Sequence, residues 1–393
     1  NGLEGNPGGP NPVINATTSA TVLESGSQII PTPTGDNPCP SDNPCGAFSV
    51  AKNFRSPHNV NYSLQIERSV GNKAFVQIGY VGSQGRKLLS LLNINQPIAN
   101  GTDTATPGPY ANTSFGGNYY SDVNQIQSIG TSNYNSLQAI FRTNSFHGLR
   151  ANFSYTWSHN LDEVTQYRGA LPQNSYDFKG DYGQSDFDTR NAFKGFVGYE
   201  IPTFLPNLKL LTGGWEVNSA LAFNSGQPIT VYTATDSSGT DENVQRPNAA
   251  GNPLAGVSHS IVKPGDGSTP YVQWLNTDAY TQPAPGTWGD VARNNVVGPG
   301  FGDIDFSVFK NTRFDIHDFP INVQFRAEMY NLFNRLNLAS PACTQLCLDY
   351  WDGSSGYAGA FGTTSSTIGS GNYSPGIGPG EPFNVQLALK IIF

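Results

Sequence analysis

Phe383-Asn384-Val385-Gln386-Leu387-Ala388-Leu389-Lys390-Ile391-Ile392-Phe393 closes the chain. Phe383, Val385, Leu387, Leu389, Ile391 and Phe393 share one parity, and Asn384, Gln386, Ala388 and Lys390 the other; Ile392 is the exception. Successive side chains of a strand point to opposite faces, so this stretch reads as a strand with one apolar and one mostly polar face. Its length suits one tilted crossing of a bilayer, for which a strand needs about 9–11 residues. The competing reading is an edge strand of a soluble sandwich that ends in Phe.

Upstream, the same alternation recurs in Val60–Glu67, Ala74–Tyr80, Tyr134–Thr143, Leu149–Trp157, Arg190–Ile201, Trp215–Phe223, Asp303–Lys310 and Ile321–Tyr330. In Leu149–Trp157, for example, Leu149, Ala151, Phe153, Tyr155 and Trp157 oppose Arg150, Asn152, Ser154 and Thr156. The connections alternate in length. Short turns are expected around Val70-Gly71-Asn72 and Phe146-His147-Gly148, with a modest one at 202–214 and a short one at 311–320. Long loops are expected at 83–133, 158–189, 224–302 and 331–382. Short turns on one side and long loops on the other are the asymmetry of outer-membrane barrels. With residues 1–57 read as an external loop region, the odd strands run inward and Phe393 falls on the periplasmic side. Aromatic girdles are expected at both ends. Trp157, Tyr155, Tyr80, Phe223 and Phe383 form the external one; Tyr199, Trp215 and Phe393 form the inner one. Nine strands is an odd number, whereas single-chain bacterial barrels are even. The reading is therefore a chain whose upstream part is absent, with Leu88–Ile94 and Ile229–Ala234 as candidates for further strand.

Composition agrees. Only 13% of the residues are charged, hydrophobic residues reach just 37%, and Gly (44), Tyr (18) and Phe (23) are abundant. That mix is poor for helices and good for strands and turns. No run of about 18 apolar residues exists, so no transmembrane helix is expected; a closed barrel is the remaining way to satisfy backbone polar groups in lipid. The net charge of −8, without a Lys/Arg run, gives no electrostatic footprint for nucleic acid. The start, Asn1-Gly2-Leu3, has no signal-peptide pattern and is expected to be a mature or truncated end. Cys39 with Cys45, and Cys343 with Cys347, form two local pairs in loop sequence, expected as disulfides of an oxidising compartment.

Alternation directs Glu67, Arg142, Arg150, Lys194, Glu200, Glu216, Asp305, Arg326, Glu328 and Lys390 to the polar, lumen-facing side. Lys or Arg on the lipid face near the midplane costs about 2–4 kcal/mol. Arg326, Glu328 and Asp305 are expected to form an ion network. These charges would meet a plug or ligand, or would simply pair across strands. Tyr110, Tyr119, Tyr120, Trp274, Trp288, Tyr350, Trp351 and Tyr357 lie among Gly, Asn and Ser in the long loops, where aromatic faces would suit sugars or peptides; packing of loop on loop is the alternative. No catalytic motif is present: the five His residues lack metal spacing. No cofactor is expected. Asp177, Asp181, Asp186 and Asp188 are a weak candidate for Ca²⁺, which takes six to eight oxygens.

Several phrases are more specific: Gly79-Tyr80-Val81-Gly82-Ser83-Gln84-Gly85, Asn133-Tyr134-Asn135-Ser136-Leu137-Gln138, Tyr155-Thr156-Trp157-Ser158 and Gly214-Trp215. Ser225-Gly226-Gln227-Pro228, Arg246-Pro247-Asn248, Arg293-Asn294, Gly298-Pro299-Gly300, Phe325-Arg326-Ala327-Glu328 and Asn331-Leu332-Phe333-Asn334 follow in order. From about Asn53 to Phe393 the chain resembles the C-terminal barrel region of TonB-dependent receptors, in the Oar-like branch that carries an N-terminal carboxypeptidase-regulatory-like domain. The terminal alternating strand ending in Phe393 likewise resembles the C-terminal signal read by the barrel-assembly machinery. The resemblance implies an all-β antiparallel barrel of 22 strands around a plug, importing an external ligand with energy passed through TonB. The plug and TonB-binding segment, N-terminal in the family, are not visible here, so the chain is expected to be the C-terminal portion. The rival functions are a non-transporting surface structural or adhesive protein, and a secreted soluble all-β binding protein.

Overall fold

The computed structural model describes residues 41, 44–102, 104–111, 119–165, 171–233, 235–242, 245–265, 267, 269–316, 319–341, 350–351, 361–368 and 382–393. Nine long strands form one antiparallel meander in chain order: β1 (His58–Val70), β2 (Ala74–Asn93), β3 (Tyr120–Phe146), β4 (Leu149–Asp162), β5 (Asn191–Glu200), β6 (Trp215–Asn224), β7 (Phe301–Ile316), β8 (Phe319–Tyr330) and β9 (Asn384–Ile392). Every strand expected from alternation lies in this wall. Among the described residues neither β1 nor β9 has a second neighbour along it, so the wall is an open sheet. Both of its faces are exposed along β1.

Turn chemistry explains the short connections. His147 and Gly148, between the paired residues Phe146 and Leu149, both have positive φ (51° and 85°). A two-residue hairpin of this kind matches the strand twist and requires φ above zero at both central positions. Gly71 (φ 59°) serves the β1–β2 turn.

Register then fixes the faces. Ile66, Ile78, Ala139, Tyr155, Phe193 and Phe223 are successive cross-strand partners from β1 to β6. The row Val217, Val308, Ala327, Leu387 continues the same face to β9. Among the described residues no second sheet or helical layer covers it: Leu64 and Ile66 are each 69% exposed, and Leu387 and Leu389 are 65% and 68% exposed. Neighbouring rings share this surface, with Phe141–Phe153 at 6.3 Å, Phe153–Phe193 at 5.9 Å and Phe193–Phe223 at 6.2 Å between centroids. Tyr199 and Trp215 sit at the short-turn end. No helix of the described residues is long and apolar enough to cross a membrane.

Three segments depart from the sequence reading. The 83–133 connection is much shorter than expected: the candidate strand Leu88–Ile94 continues β2 to Asn93, and β3 begins at Tyr120. The pairs Gln84–Asn133, Gly85–Ser132 and Arg86–Thr131 are polar or small on both faces, so pairing persists where alternation fades. Within the 1–57 loop region, Cys45–Val50 is a strand paired in parallel with Tyr120–Ile126. Ile229–Ala234 adds no wall strand; Pro228–Ile229 and Tyr232–Thr233 are two-residue strands of separate small sheets.

The core lies in the connections. Val231, Leu275, Ala279, Tyr280, Val291, Val296 and Phe361 form a buried cluster against which Trp274 packs. A smaller one joins Ala47, Tyr120 and Val123 with Ile94.

Candidate functional site

Two layers make up the candidate site: the polar face of the wall and the packed connections at the end opposite the short turns. Register places all the predicted lumen-facing residues on a single face. Glu67, Gln77, Ile140, Ser154, Lys194, Ala222 and Asp303 form one cross-strand row. Arg142, Asn152, Phe196, Ala220 and Asp305 form the next. Glu200, Glu216, Phe309, Arg326 and Ala388 form a third, and Glu328 (opposite Gln386) and Lys390 (opposite Gln324) complete the face. Apolar Ile140, Phe196 and Phe309 interrupt the polar pattern on this side.

Glu200 and Glu216 are direct cross-strand partners, a like-charge pair that is destabilising by itself. Arg150, from the adjacent strand, resolves it by pairing with Glu216 and lying 3.8 Å from Glu200. The expected Arg326–Glu328–Asp305 network is not formed among the described residues. Arg326 instead donates to Gln324 Oε1 at 2.6 Å and lies over the Phe309 ring, 4.6 Å from its centroid. Asp305 accepts the Asn331 N–H at 3.0 Å, at the far end of β8. The cause is register: Arg326 faces Phe309, four positions from Asp305 along β7.

The four aspartates proposed for Ca²⁺ are not brought together, and among the described residues no His, Cys, Asp and Glu group could hold a metal. Each has its own partner. Asp177 caps a short 3-10 turn by accepting the Gly180 N–H. Asp181 pairs with Arg246 at 2.7 Å, both side chains being under a tenth exposed. Asp186 meets Arg293 at 3.2 Å and Asn294 Nδ2 at 2.6 Å. Asp188 accepts the Asn160 N–H at 2.8 Å and lies near His159 and Arg190.

These contacts belong to a larger brace. Arg293 pairs with Asp162 at the top of β4 and donates to the carbonyls of Asp162 (2.6 Å) and Asp181 (3.0 Å). Gln173 joins three connections: its N–H donates to Asp181 Oδ2 (3.2 Å), its Oε1 accepts the Arg246 N–H (2.7 Å), and its carbonyl accepts from Gln96 Nε2 (3.0 Å). Asn93, ending β2, donates its amide to both Asp122 (3.0 Å) and Glu242 (2.9 Å). Gly226 packs where a Cβ would lie 1.8 Å from the Gly298 carbonyl oxygen, so two glycine-containing turns close on each other. Burial pushes the Glu242 carboxyl up; the Asn93 bond opposes this, and Asp122, Asp241 and Asp236 reinforce it. Burial would raise Asp236 too, but hydrogen bonds from Gln245, Ser238 and the Asp241 and Thr240 N–H groups outweigh it and hold the carboxyl low. Burial raises Tyr280 to about 12, against an opposing bond from Asn295.

The predicted loop aromatics fall into different settings. Tyr120 is in β3 and 1% exposed, so it is a core residue and not a surface contact. Trp274 packs on the loop core, stacks on His259 at 4.1 Å and donates Nε1–H to the Val297 carbonyl at 3.0 Å. Tyr110, Tyr119 and Trp288 are half-buried. Tyr350 and Trp351 pair with Tyr232–Thr233 through backbone. Tyr357, Cys39, Cys343 and Cys347 lie outside the described residues; Cys45 opens the strand Cys45–Val50. The terminal alternating residues run along β9, from Phe383 just before it to Phe393, 98% exposed, just after. Sequence reasoning passed over Arg246, Arg293, Gln173 and Asp162 as site residues. The phrases Arg246-Pro247-Asn248 and Arg293-Asn294 carried the signal, but not what they would touch.

The sequence matches a family model described as an outer membrane beta barrel domain over residues 2–386. Among solved structures, the outer membrane transporter YddB from Escherichia coli is similar with a TM-score of 0.40 and 8% identity. That match covers 88% of this chain and 34% of the transporter, so the chain spans about a third of that protein's length. No curated protein matches the sequence. Matched over nearly its whole length, the chain belongs to the outer membrane β-barrel domain family and resides in the outer membrane.

Proposed function

We propose that this chain is the C-terminal part of a TonB-dependent type of receptor, a closed barrel of 22 strands that binds an external ligand and imports it. The observation that carries the reading is the pairing of a wall face that gathers most of the wall's charges with a loop layer braced by buried ion pairs. A rigid loop layer on a scaffold is a common setting for binding residues. The open edges of β1 and β9 would be closed by upstream strands of the same protein. Glu67, Arg142, Lys194 and their neighbours would face a plug supplied by the N-terminal part, which would also carry the contact to a TonB-type energy transducer. The two cysteine pairs would be disulfides, and no enzymatic role is assigned. In the full-length protein, a photo-crosslinking residue at Lys194 is expected to give an intramolecular adduct with the upstream plug. Absence of such an adduct, with the barrel assembled, would remove the receptor reading. Deletion of Phe393 tests the assembly role separately: the heat-modifiable gel band should be lost, and normal insertion would refute it.

A further inference from the structure

The connection from β5 to β6, residues 201–214, is unlike the other short connections. Two residues suffice to join antiparallel neighbours, as at His147-Gly148. Here the chain instead forms a compact knob of two short helical turns, Pro206–Leu208 and Lys209–Thr212. Its surface carries five exposed apolar side chains: Phe204, Leu210 and Leu211 are 67%, 67% and 68% exposed, and Leu205 and Leu208 about half. Thr203, Asn207 and Lys209 are exposed among them, and Thr212 turns inward. Thr212 Oγ1 donates to the carbonyls of Leu205 (3.0 Å) and Leu208 (3.1 Å), and the Leu208 and Gly213 N–H groups bond to Leu205 and Lys209 carbonyls.

The knob is continuous with the apolar face of the wall. Trp215 donates Nε1–H to the Leu211 carbonyl at 2.7 Å, and Lys310 bonds the Gly213 carbonyl while its ammonium lies over the Trp215 ring. Trp215, Lys310, Phe325 and Leu389 are successive cross-strand partners on that face. Lys209 is the only charged residue from 201 to 214. Exposed leucines beside a Trp and lysines are the features of an interfacial lipid anchor.

We propose that residues 202–214 form a foot set in the headgroup–acyl boundary of the leaflet at the short-turn end, with phospholipid as its occupant. The test places p-benzoylphenylalanine at Leu210, and separately at Phe204, in the full-length protein in its own outer membrane. Leu389, on the apolar face, and Asn72, in a polar turn at the same end, are the references. Irradiation at either foot position is expected to give phospholipid adducts at about tenfold the Asn72 yield, approaching that of Leu389. The triple change Leu208→Asn, Leu210→Asn, Leu211→Asn should abolish the adduct at Phe204. Adducts at the Asn72 level while Leu389 still labels, or a discrete protein adduct from the foot, would overturn the proposal.

Discussion

Replacing Arg293 with Met is the sharpest test of the braced loop layer. Met keeps the aliphatic stem and removes the guanidinium that reaches Asp162, Asp186 and two carbonyls. The Arg293 side chain is 10% exposed and that of Asp162 only 6%, so Arg293→Met leaves a carboxylate buried without its counter-charge. Breaking a buried pair in this way costs about 3–5 kcal/mol. The lost contact to Asp186, whose side chain is 52% exposed, adds less than about 1 kcal/mol. With each decade of an equilibrium constant worth about 1.4 kcal/mol, local opening should rise by roughly two to three and a half decades. Amide hydrogen exchange, read on peptides covering 183–188 and 291–296, measures it directly. Those segments carry the Ser185 N–H to Asn160 carbonyl and the Asn294 N–H to Thr230 bonds. Peptides of β8 should not change. Adding Asp162→Asn removes the stranded charge and should recover part of the protection. An acceleration under about tenfold, or a double variant no slower than the single one, would refute the buried-charge reasoning.

Two other perturbations separate the wall faces and the loop acids. Leu387→Arg puts a cation on the exposed apolar face of β9 and should destabilise the folded state by about 2–4 kcal/mol in bilayer unfolding titrations. Gln386→Arg, one residue away on the polar face, should change stability little; equal effects would mean that the faces are misassigned. Glu242 has its carboxyl raised by burial, so its contribution to loop-layer stability is fully present below the ordinary value of 4.5 and is lost as pH rises through the higher folded value. Glu242→Gln should therefore slow exchange of the loop layer at neutral pH and flatten its pH dependence above 4.5; a variant that exchanges faster at pH 7 contradicts this sign.

The wall was legible in the sequence because period two is imposed wherever one face meets hydrocarbon and the other does not. Leu149–Trp157 and Phe383–Phe393 announce themselves for that reason. The same rule explains the misses. Above the apolar belt, Gln84–Asn133 and Arg86–Thr131 need no alternation, so the early run of β3 from Tyr120 goes unseen from the pattern, whereas Leu88–Ile94 is legible as further strand and continues β2. Face assignment was also legible, and Glu67, Arg142, Lys194 and Lys390 share one side as parity required. Pairing was not: Arg150 finds two glutamates from other strands, and Arg326 finds a ring, because both depend on register between strands. The brace around Arg293 and Arg246 joins residues more than a hundred, or several tens, of positions apart, and no local spacing reveals it.

β3 runs for 27 residues, about 90 Å of extended chain at a strand's rise, against the ten or so needed to traverse the bilayer. Together with β2 it continues beyond the apolar belt of the wall, while β5 and β6 stop at 10 residues each. Asn93, where β2 stops, holds Glu242 of the connection between β6 and β7, so the long strand pair works as a lever on a loop it does not carry: a bend in the extension is passed to that loop through one amide–carboxylate contact.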